Sequence, residues 1–178
     1  MKENQVKKLV MAAMCVALRI VLPMAFHTIQ NAGSIFLPMH IPVLICGLLC
    51  GWQYGLICGI LAPVLSCLFT GMPPAAILPA MLCELAVYGL ITGICVYGIH
   101  TEKQIVKIYG SLITAMLAGR IVSGILKALI FNVGEYSFKI FITSSFLTGI
   151  PGILIQLIFI PVIVLALQKA GIAEPKRR

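Results

Sequence analysis

Six apolar stretches follow one another along the chain, with short polar segments between them. A helix that crosses the hydrocarbon core of a bilayer needs about 20 mostly apolar residues, and only helices or closed barrels cross it. The predicted spans are 6–26, 36–51, 54–70, 75–99, 108–131 and 140–167. We therefore predict an all-α membrane protein, a compact bundle of six transmembrane helices that forms one domain over residues 1–178.

Turn signals decide where the apolar stretches divide. Residues 35–70 are too long for one crossing, and Gly51-Trp52-Gln53-Tyr54-Gly55 interrupts them with flexible glycines and interfacial aromatics. Gly71-Met72-Pro73-Pro74 is a turn signal between the third and fourth spans. The first span is longer than the core of a signal peptide and no cleavage site follows it, so we expect a retained helix.

Composition agrees with a membrane protein and excludes other classes. Of the 178 residues, 61% are hydrophobic and 10% are charged, whereas soluble domains are about 25% charged. A soluble enzyme would lack the charges to cover its surface. The formal net charge of +8 is spread too unevenly to form a basic face for nucleic acid.

The distribution of basic residues predicts the orientation in the membrane. Cytoplasmic segments near span ends carry an excess of Lys and Arg. The basic residues near the span ends fall mainly on one side of the predicted bundle, and Lys139 is the one on the opposite side. The residues on the first side are Lys2, Lys7, Lys8, Lys103, Lys107, Lys169, Lys176, Arg177 and Arg178. We predict that both termini are cytoplasmic in a multi-pass plasma-membrane protein, with loops 27–35, 71–75 and 132–139 facing outward.

Small residues recur every four positions on several spans, which lets helices approach closely in lipid. They fall into four series: Gly47, Gly51, Gly55 and Gly59; Gly89 and Gly93; Ser111, Ala115, Gly119 and Ser123; Ala13 and Ala17. Such residues pack helices within one protein or dock a separate membrane subunit. Docking is most attractive for Ala13 and Ala17, because a first helix easily lies at the rim of a bundle.

Seven cysteines lie within the apolar segments and none has a C-x-x-C spacing. This pattern does not indicate a zinc site or a disulfide framework. Buried free cysteines behave as small hydrophobic residues, so we interpret all seven as packing residues.

Four ionisable residues, Arg19, Glu84, Arg120 and Lys127, fall within the predicted spans. Each costs about 2.5 kcal/mol or more near the bilayer centre unless it is paired or hydrated. If the fourth and fifth spans form a hairpin, Glu84 and Arg120 lie at about the same depth, so an ion pair between them is reasonable. This pair would either tie two helices together or contact a substrate. Arg19 and Lys127 either reach outer headgroups or line a water-filled cavity that favours an anionic solute.

Uncharged polar residues also collect toward the predicted outer side. Asn132 follows Lys127 by five residues, Asn31 lies in the first outer loop, and His40 stands between Pro38 and Pro42. The candidate substrate-binding residues are Glu84, Arg120, Lys127, Asn132, His40 and Asn31.

The sequence offers no recognisable catalytic chemistry. Glu84 is the one carboxylate within a predicted span, and a catalytic metal needs several carboxylate or histidine ligands. H-E-x-x-H, G-x-S-x-G and P-loop motifs are absent from the sequence. We therefore expect no enzyme activity, no catalytic residue, no metal and no cofactor, and any ATP hydrolysis must come from a partner.

The ordered set of motifs resembles the substrate-binding S component of an energy-coupling factor (ECF) vitamin transporter over essentially the whole chain. The residues that carry the resemblance are Ala13-Met14-Cys15-Val16-Ala17, Pro38-Met39-His40-Ile41-Pro42, Gly71-Met72-Pro73-Pro74, Glu84 with Tyr88-Gly89, and Gly119-Arg120-Ile121-Val122.

The resemblance implies a division of labour between subunits. An S component captures a vitamin from outside with high affinity, near helices four to six and the outer loops. It then joins a membrane coupling subunit and two cytoplasmic ATPases, topples in the membrane and releases the substrate inside. The Ala13/Ala17 face matches the docking motif for the coupling subunit. The positive interior favours an anionic vitamin, with pantothenate first.

Two other classes compete with this interpretation. A self-sufficient secondary transporter would couple protons through Glu84, although the small size and the lack of an obvious inverted repeat argue mildly against it. A scaffold subunit would bind no solute at all.

Overall fold

All regular elements in the described part of the chain are helices. The computed structural model describes residues 2–25, 37–130, 143 and 149–173. Its helices are α1 (Lys2–Ala25), α2 (Ile41–Cys50), α3 (Trp52–Thr70), α4 (Leu78–Gly98), α5 (Gln104–Ile130) and α6 (Ile150–Lys169). The last four, α3 to α6, are long and apolar enough to cross a membrane. The described residues thus confirm the predicted all-α fold with six helices, and four of these helices are candidate membrane spans.

The second helix differs from its predicted bounds. It begins at Ile41 rather than at residue 36, because residues 37–40 form a turn closed by a hydrogen bond from His40 N to Leu37 O of 3.1 Å. Pro42 lies in its first turn, where proline lacks only an N–H that would be unpaired anyway. The break to α3 falls at Gly51, whose φ of 101° suits glycine. The predicted start of the sixth span at residue 140 lies outside the described residues.

Helix α2 lies at the centre of the bundle. Its sequence, IPVLICGLLC, has no charged side chain, and every residue from Pro42 to Cys50 is buried. It packs against α1, α3, α4, α5 and α6. A helix that is hydrophobic on all sides is stable only when it is surrounded, and here the other helices of the same chain surround it.

Three helix backbones meet at glycines. A Cβ at Gly47 of α2 would lie 2.8 Å from the carbonyl oxygen of Gly89 in α4. A Cβ at Gly55 of α3 would lie 2.9 Å from the Cα of Gly47 and would overlap the Gly89 carbonyl. No other residue type fits this crossing without moving a backbone.

Most of the small-residue series serve packing within the chain. Gly59 and Gly93 also face neighbouring backbones, and the series Ser111, Ala115, Gly119 and Ser123 of α5 is buried. Ala13 and Ala17 differ, because both are exposed on α1. The same helix carries further exposed apolar side chains, namely Val6, Leu9, Val10, Met14, Leu18, Val21 and Met24.

The cysteines pack as predicted for small hydrophobic residues. Cys15, Cys46, Cys50 and Cys58 are buried in the core shared by α1, α2 and α3, and Cys67, Cys83 and Cys95 are partly buried. All seven are free thiols.

The glycine crossing generates the first prediction. Gly89→Ala should lower the thermal unfolding temperature, because overpacking a filled crossing costs about 1–3 kcal/mol. Gly98→Ala is the matched control on the same helix, since a Cβ there meets no atom within 4 Å among the described residues. The measurement is thermal unfolding in detergent, followed by the fluorescence of Trp52. Equal unfolding temperatures for the two variants would contradict the crossing.

Candidate functional site

The centre of the candidate site is a carboxylate on the inner face of α4. Glu84 and Tyr88 are one helical turn apart, so both side chains lie on the same face. The Tyr88 hydroxyl donates a hydrogen bond of 3.0 Å to Glu84 Oε1. Tyr88 is fully buried and Glu84 is 9% exposed. A buried carboxylate is expensive in an apolar interior, so this donor contributes to holding it there.

The turn before α2 brings a histidine to the same carboxylate. His40 Nε2 lies 3.7 Å from Glu84 Oε1, which is an ion-pair distance when the imidazole is protonated. The rings of His40 and Tyr88 are 5.4 Å apart at an interplanar angle of 55°. This tilted geometry is one that aromatic pairs prefer. His40 is itself buried, so the three side chains pack as one group.

Helix α5 supplies the positive charges. Arg120 is buried and interacts with Tyr88, and Lys127 lies close enough for its charge to act on Glu84. Gly119 makes room for this arrangement, because a Cβ there would overlap the Tyr88 ring. We call Glu84, Tyr88, His40, Arg120 and Lys127 the Glu84 cluster.

A second glycine confines Arg120. Gly149, directly before α6, lies against the guanidinium: a Cβ there would be 3.1 Å from Nη1 and 3.2 Å from Nη2. The same hypothetical atom would lie 3.4 Å from Cδ1 of Leu37. Arg120 is therefore packed between α4, the start of α6 and the turn before α2.

Four of the six predicted substrate-binding residues, Glu84, Arg120, Lys127 and His40, belong to the Glu84 cluster. Asn31 and Asn132 lie outside the described residues. Glu84 contacts Tyr88 and His40, and its predicted ion pair with Arg120 stays a prediction.

One sequence-based interpretation placed Arg19 among the outer headgroups, and the structure shows that this is wrong. Its side chain is fully buried, and Nε donates a hydrogen bond of 2.9 Å to the carbonyl oxygen of Met39. Nη2 lies 3.8 Å from the Met39 sulfur. Arg19 thus turns inward from α1 to the residue before His40.

The turn of residues 37–40 has an unusual backbone. Leu37 has a φ of 51°, in the left-handed region that few residues other than glycine adopt. Such conformations cost about 1–3 kcal/mol and persist where surrounding contacts enforce them. The fully buried Gln156 of α6 donates a long hydrogen bond of 3.4 Å to Leu37 O.

The sequence-based list of substrate-binding residues lacks Tyr88, Arg19 and Gln156, and Arg19 enters the sequence analysis only through the alternative of a water-filled cavity. The spacing of Glu84 and Tyr88 could have identified the tyrosine, since residues four apart share a helix face. Arg19 and Gln156 act on backbone carbonyls of a distant segment, and no sequence spacing encodes such contacts.

The cluster combines opposite charges with hydrogen-bonding groups in a buried place. Helix α5 contributes two cationic side chains to the Glu84 cluster, the buried Arg120 and the half-buried Lys127, and the buried Arg19 of α1 reaches the turn that carries His40. In the described ranges, no group of three or more His, Cys, Asp or Glu side chains is placed to hold a metal ion. The described residues thus form a buried group of cationic, acidic and uncharged polar side chains within an apolar bundle.

The comparison with known families gives the class of this helical bundle. Residues 7–167 match the model of the family described as ECF transporter, substrate-specific component. The chain therefore belongs to this family of multi-pass membrane proteins, which are transport binding subunits and not enzymes. Membership implies a small-molecule substrate and an ECF energising module as partner. No curated protein and no solved structure matches the chain significantly.

The Tyr88–Glu84 bond generates the second prediction. Tyr88→Phe should lower the free energy of unfolding by about 1–3 kcal/mol, because the buried carboxylate loses a donor. Tyr109→Phe is the control, since Tyr109 lies on the exposed face of α5. Thermal or denaturant unfolding in detergent measures both. If Tyr88→Phe is as stable as Tyr109→Phe, the hydrogen bond has no structural importance.

Proposed function

We propose that this ECF S component captures an anionic water-soluble vitamin or related metabolite, with pantothenate as the first candidate. The observation that carries the proposal is the presence of the cationic Arg120 and Lys127 in the Glu84 cluster, with Arg19 buried beside the turn that carries His40. Cationic side chains form strong, charge-assisted hydrogen bonds with a carboxylate, so these three residues favour a negatively charged ligand.

Electrostatics explains why an anion fits this site. Isolated charges in an apolar interior carry a desolvation cost of several kcal/mol, which a counter-ion in the same environment offsets. A carboxylate on the ligand would supply that counter-ion. The hydroxyl of Tyr88 and the imidazole of His40 offer hydrogen-bonding groups for the rest of a polar ligand.

The exposed face of α1 supports docking to a membrane coupling subunit, which in turn joins two cytoplasmic ATPases. Gly47, Gly55 and Gly89 pack against one another's backbones within the chain, whereas Ala13 and Ala17 are exposed. Small residues on an exposed helix face allow a second helix to approach closely. We also propose that both termini are cytoplasmic, on the distribution of Lys and Arg.

Ligand charge is the third prediction. Calorimetry with the detergent-purified protein should show binding of pantothenate and no binding of a cationic vitamin such as thiamine. Lys127→Met should weaken binding about tenfold, which corresponds to about 1.4 kcal/mol. Lys169→Met, at the exposed end of α6, is the control and should bind as the wild type does. A panel in which only neutral or cationic vitamins bind would refute the anionic ligand.

Docking through α1 is the fourth prediction. Ala13→Leu combined with Ala17→Leu should leave ligand binding unchanged and reduce ATP-driven uptake about tenfold or more, because the added side chains separate the helices. Met14→Leu, which changes the shape of an exposed apolar residue on the same helix without filling a small-residue position, is the control. Uptake into liposomes that contain the coupling subunit and both ATPases measures the effect.

The same liposomes test the alternative of a self-sufficient secondary transporter. When the S component is reconstituted alone, an imposed pH gradient should drive no uptake of labelled pantothenate. Uptake without ATPase subunits, abolished by Glu84→Gln, would instead establish proton coupling through Glu84.

A further inference from the structure

Helix α1 has an exposed face with small residues and a buried face that carries an arginine. Ala13 and Ala17 are exposed, whereas Arg19, two residues later, is fully buried. Arg19 is the one cationic side chain of the described part of α1 that is buried. The docking face and an inward-pointing guanidinium therefore belong to the same rigid helix.

The guanidinium ends on the backbone of the turn that carries His40. Nε donates to the carbonyl oxygen of Met39 at 2.9 Å, and the next residue, His40, contacts Glu84 and Tyr88. Nη1 is buried and has no hydrogen-bond partner among the described residues. A buried guanidinium that forms one strong hydrogen bond keeps a large desolvation cost, which is a poor way to stabilise a fold.

The same turn is held from its other side. Gln156 of α6 donates to the carbonyl oxygen of Leu37, and that residue has the left-handed backbone described above. Thus two fully buried polar side chains, from α1 and α6, hold two carbonyl groups of one four-residue turn. A strained backbone needs this kind of external support.

We propose that Arg19 is a positioning residue: its hydrogen bond to Met39 fixes the turn of residues 37–40, holds His40 against Glu84 and Tyr88, and mechanically connects α1 to the binding site. A shift of α1 moves the guanidinium, and the Met39 carbonyl moves with it. The connection to docking rests on the proposed function, whereas the positioning of His40 does not.

The test measures His40 directly in the detergent-purified full chain, without a ligand. The chain has three histidines, so a spectrum of protein labelled at the histidine Cε1 carbons is simple, and His40→Asn identifies the His40 signal. Arg19→Met should shift this signal toward that of the exposed His100. The same variant should also speed hydrogen exchange of the His40 and Leu44 amides up to about tenfold. The His40 amide closes the turn of residues 37–40, and the Leu44 amide closes the first turn of α2.

Two further variants separate positioning from packing. Cys15→Ala removes buried atoms one helical turn before Arg19 and should leave the His40 signal as in the wild type. Arg19→Gln, whose shorter neutral side chain also loses the bond, should reproduce the effect of Arg19→Met and supplies the measurement if the methionine variant does not fold. An unchanged His40 signal in either folded Arg19 variant overturns the proposal, and so does an equal shift in Cys15→Ala.

Failure here and failure of the proposed function are distinguishable. A protein that binds no anionic vitamin still reports on Arg19 through the His40 signal. Conversely, an unchanged signal in Arg19→Met leaves anion binding and docking of α1 open to their own experiments.

Discussion

The close approach of α2, α3 and α4 at Gly47, Gly55 and Gly89 fixes the geometry on which the polar site depends. His40 precedes Gly47 by about two helical turns, Glu84 precedes Gly89 by about one and a half turns, and Tyr88 is the residue next to Gly89. Because no side chain separates the backbones at the crossing, α2 and α4 lie near enough for an imidazole and a carboxylate to meet 3.7 Å apart. A larger residue at the crossing would separate the helices and, with them, the two functional groups.

Three polar side chains buried in the described part of this bundle donate hydrogen bonds to other groups of the same chain. Tyr88 donates to Glu84, Arg19 to the Met39 carbonyl and Gln156 to the Leu37 carbonyl. Non-helical backbone at membrane depth is tolerated only where protein or trapped water satisfies its polar groups. The turn before α2 meets this condition because two helices that are distant in sequence each supply a donor to it.

The helical fold was predictable because hydrophobic length is a direct physical signal, and glycines marked the division between α2 and α3. The polar group was partly predictable: charges in apolar spans are costly, which identified Glu84 and Arg120 as candidates. The start of α2 was not predictable, because the apolar residues before Ile41 have the composition of a helix although the chain forms a turn there. The role of Arg19 escaped the sequence for a related reason, since its partner is a backbone carbonyl and every residue has one.

The shortness of α2 also sets an electrical property. Ten residues rise about 15 Å, roughly half of a hydrocarbon core about 30 Å thick. Since α2 and α3 are joined directly at Gly51 and α3 has 19 residues, the turn that carries His40 lies level with the middle of α3. An ion that reaches this depth crosses about half of the membrane voltage, or about 1 kcal/mol per elementary charge at 100 mV. If the proposed anionic solute binds at this depth, its binding therefore depends on the membrane potential.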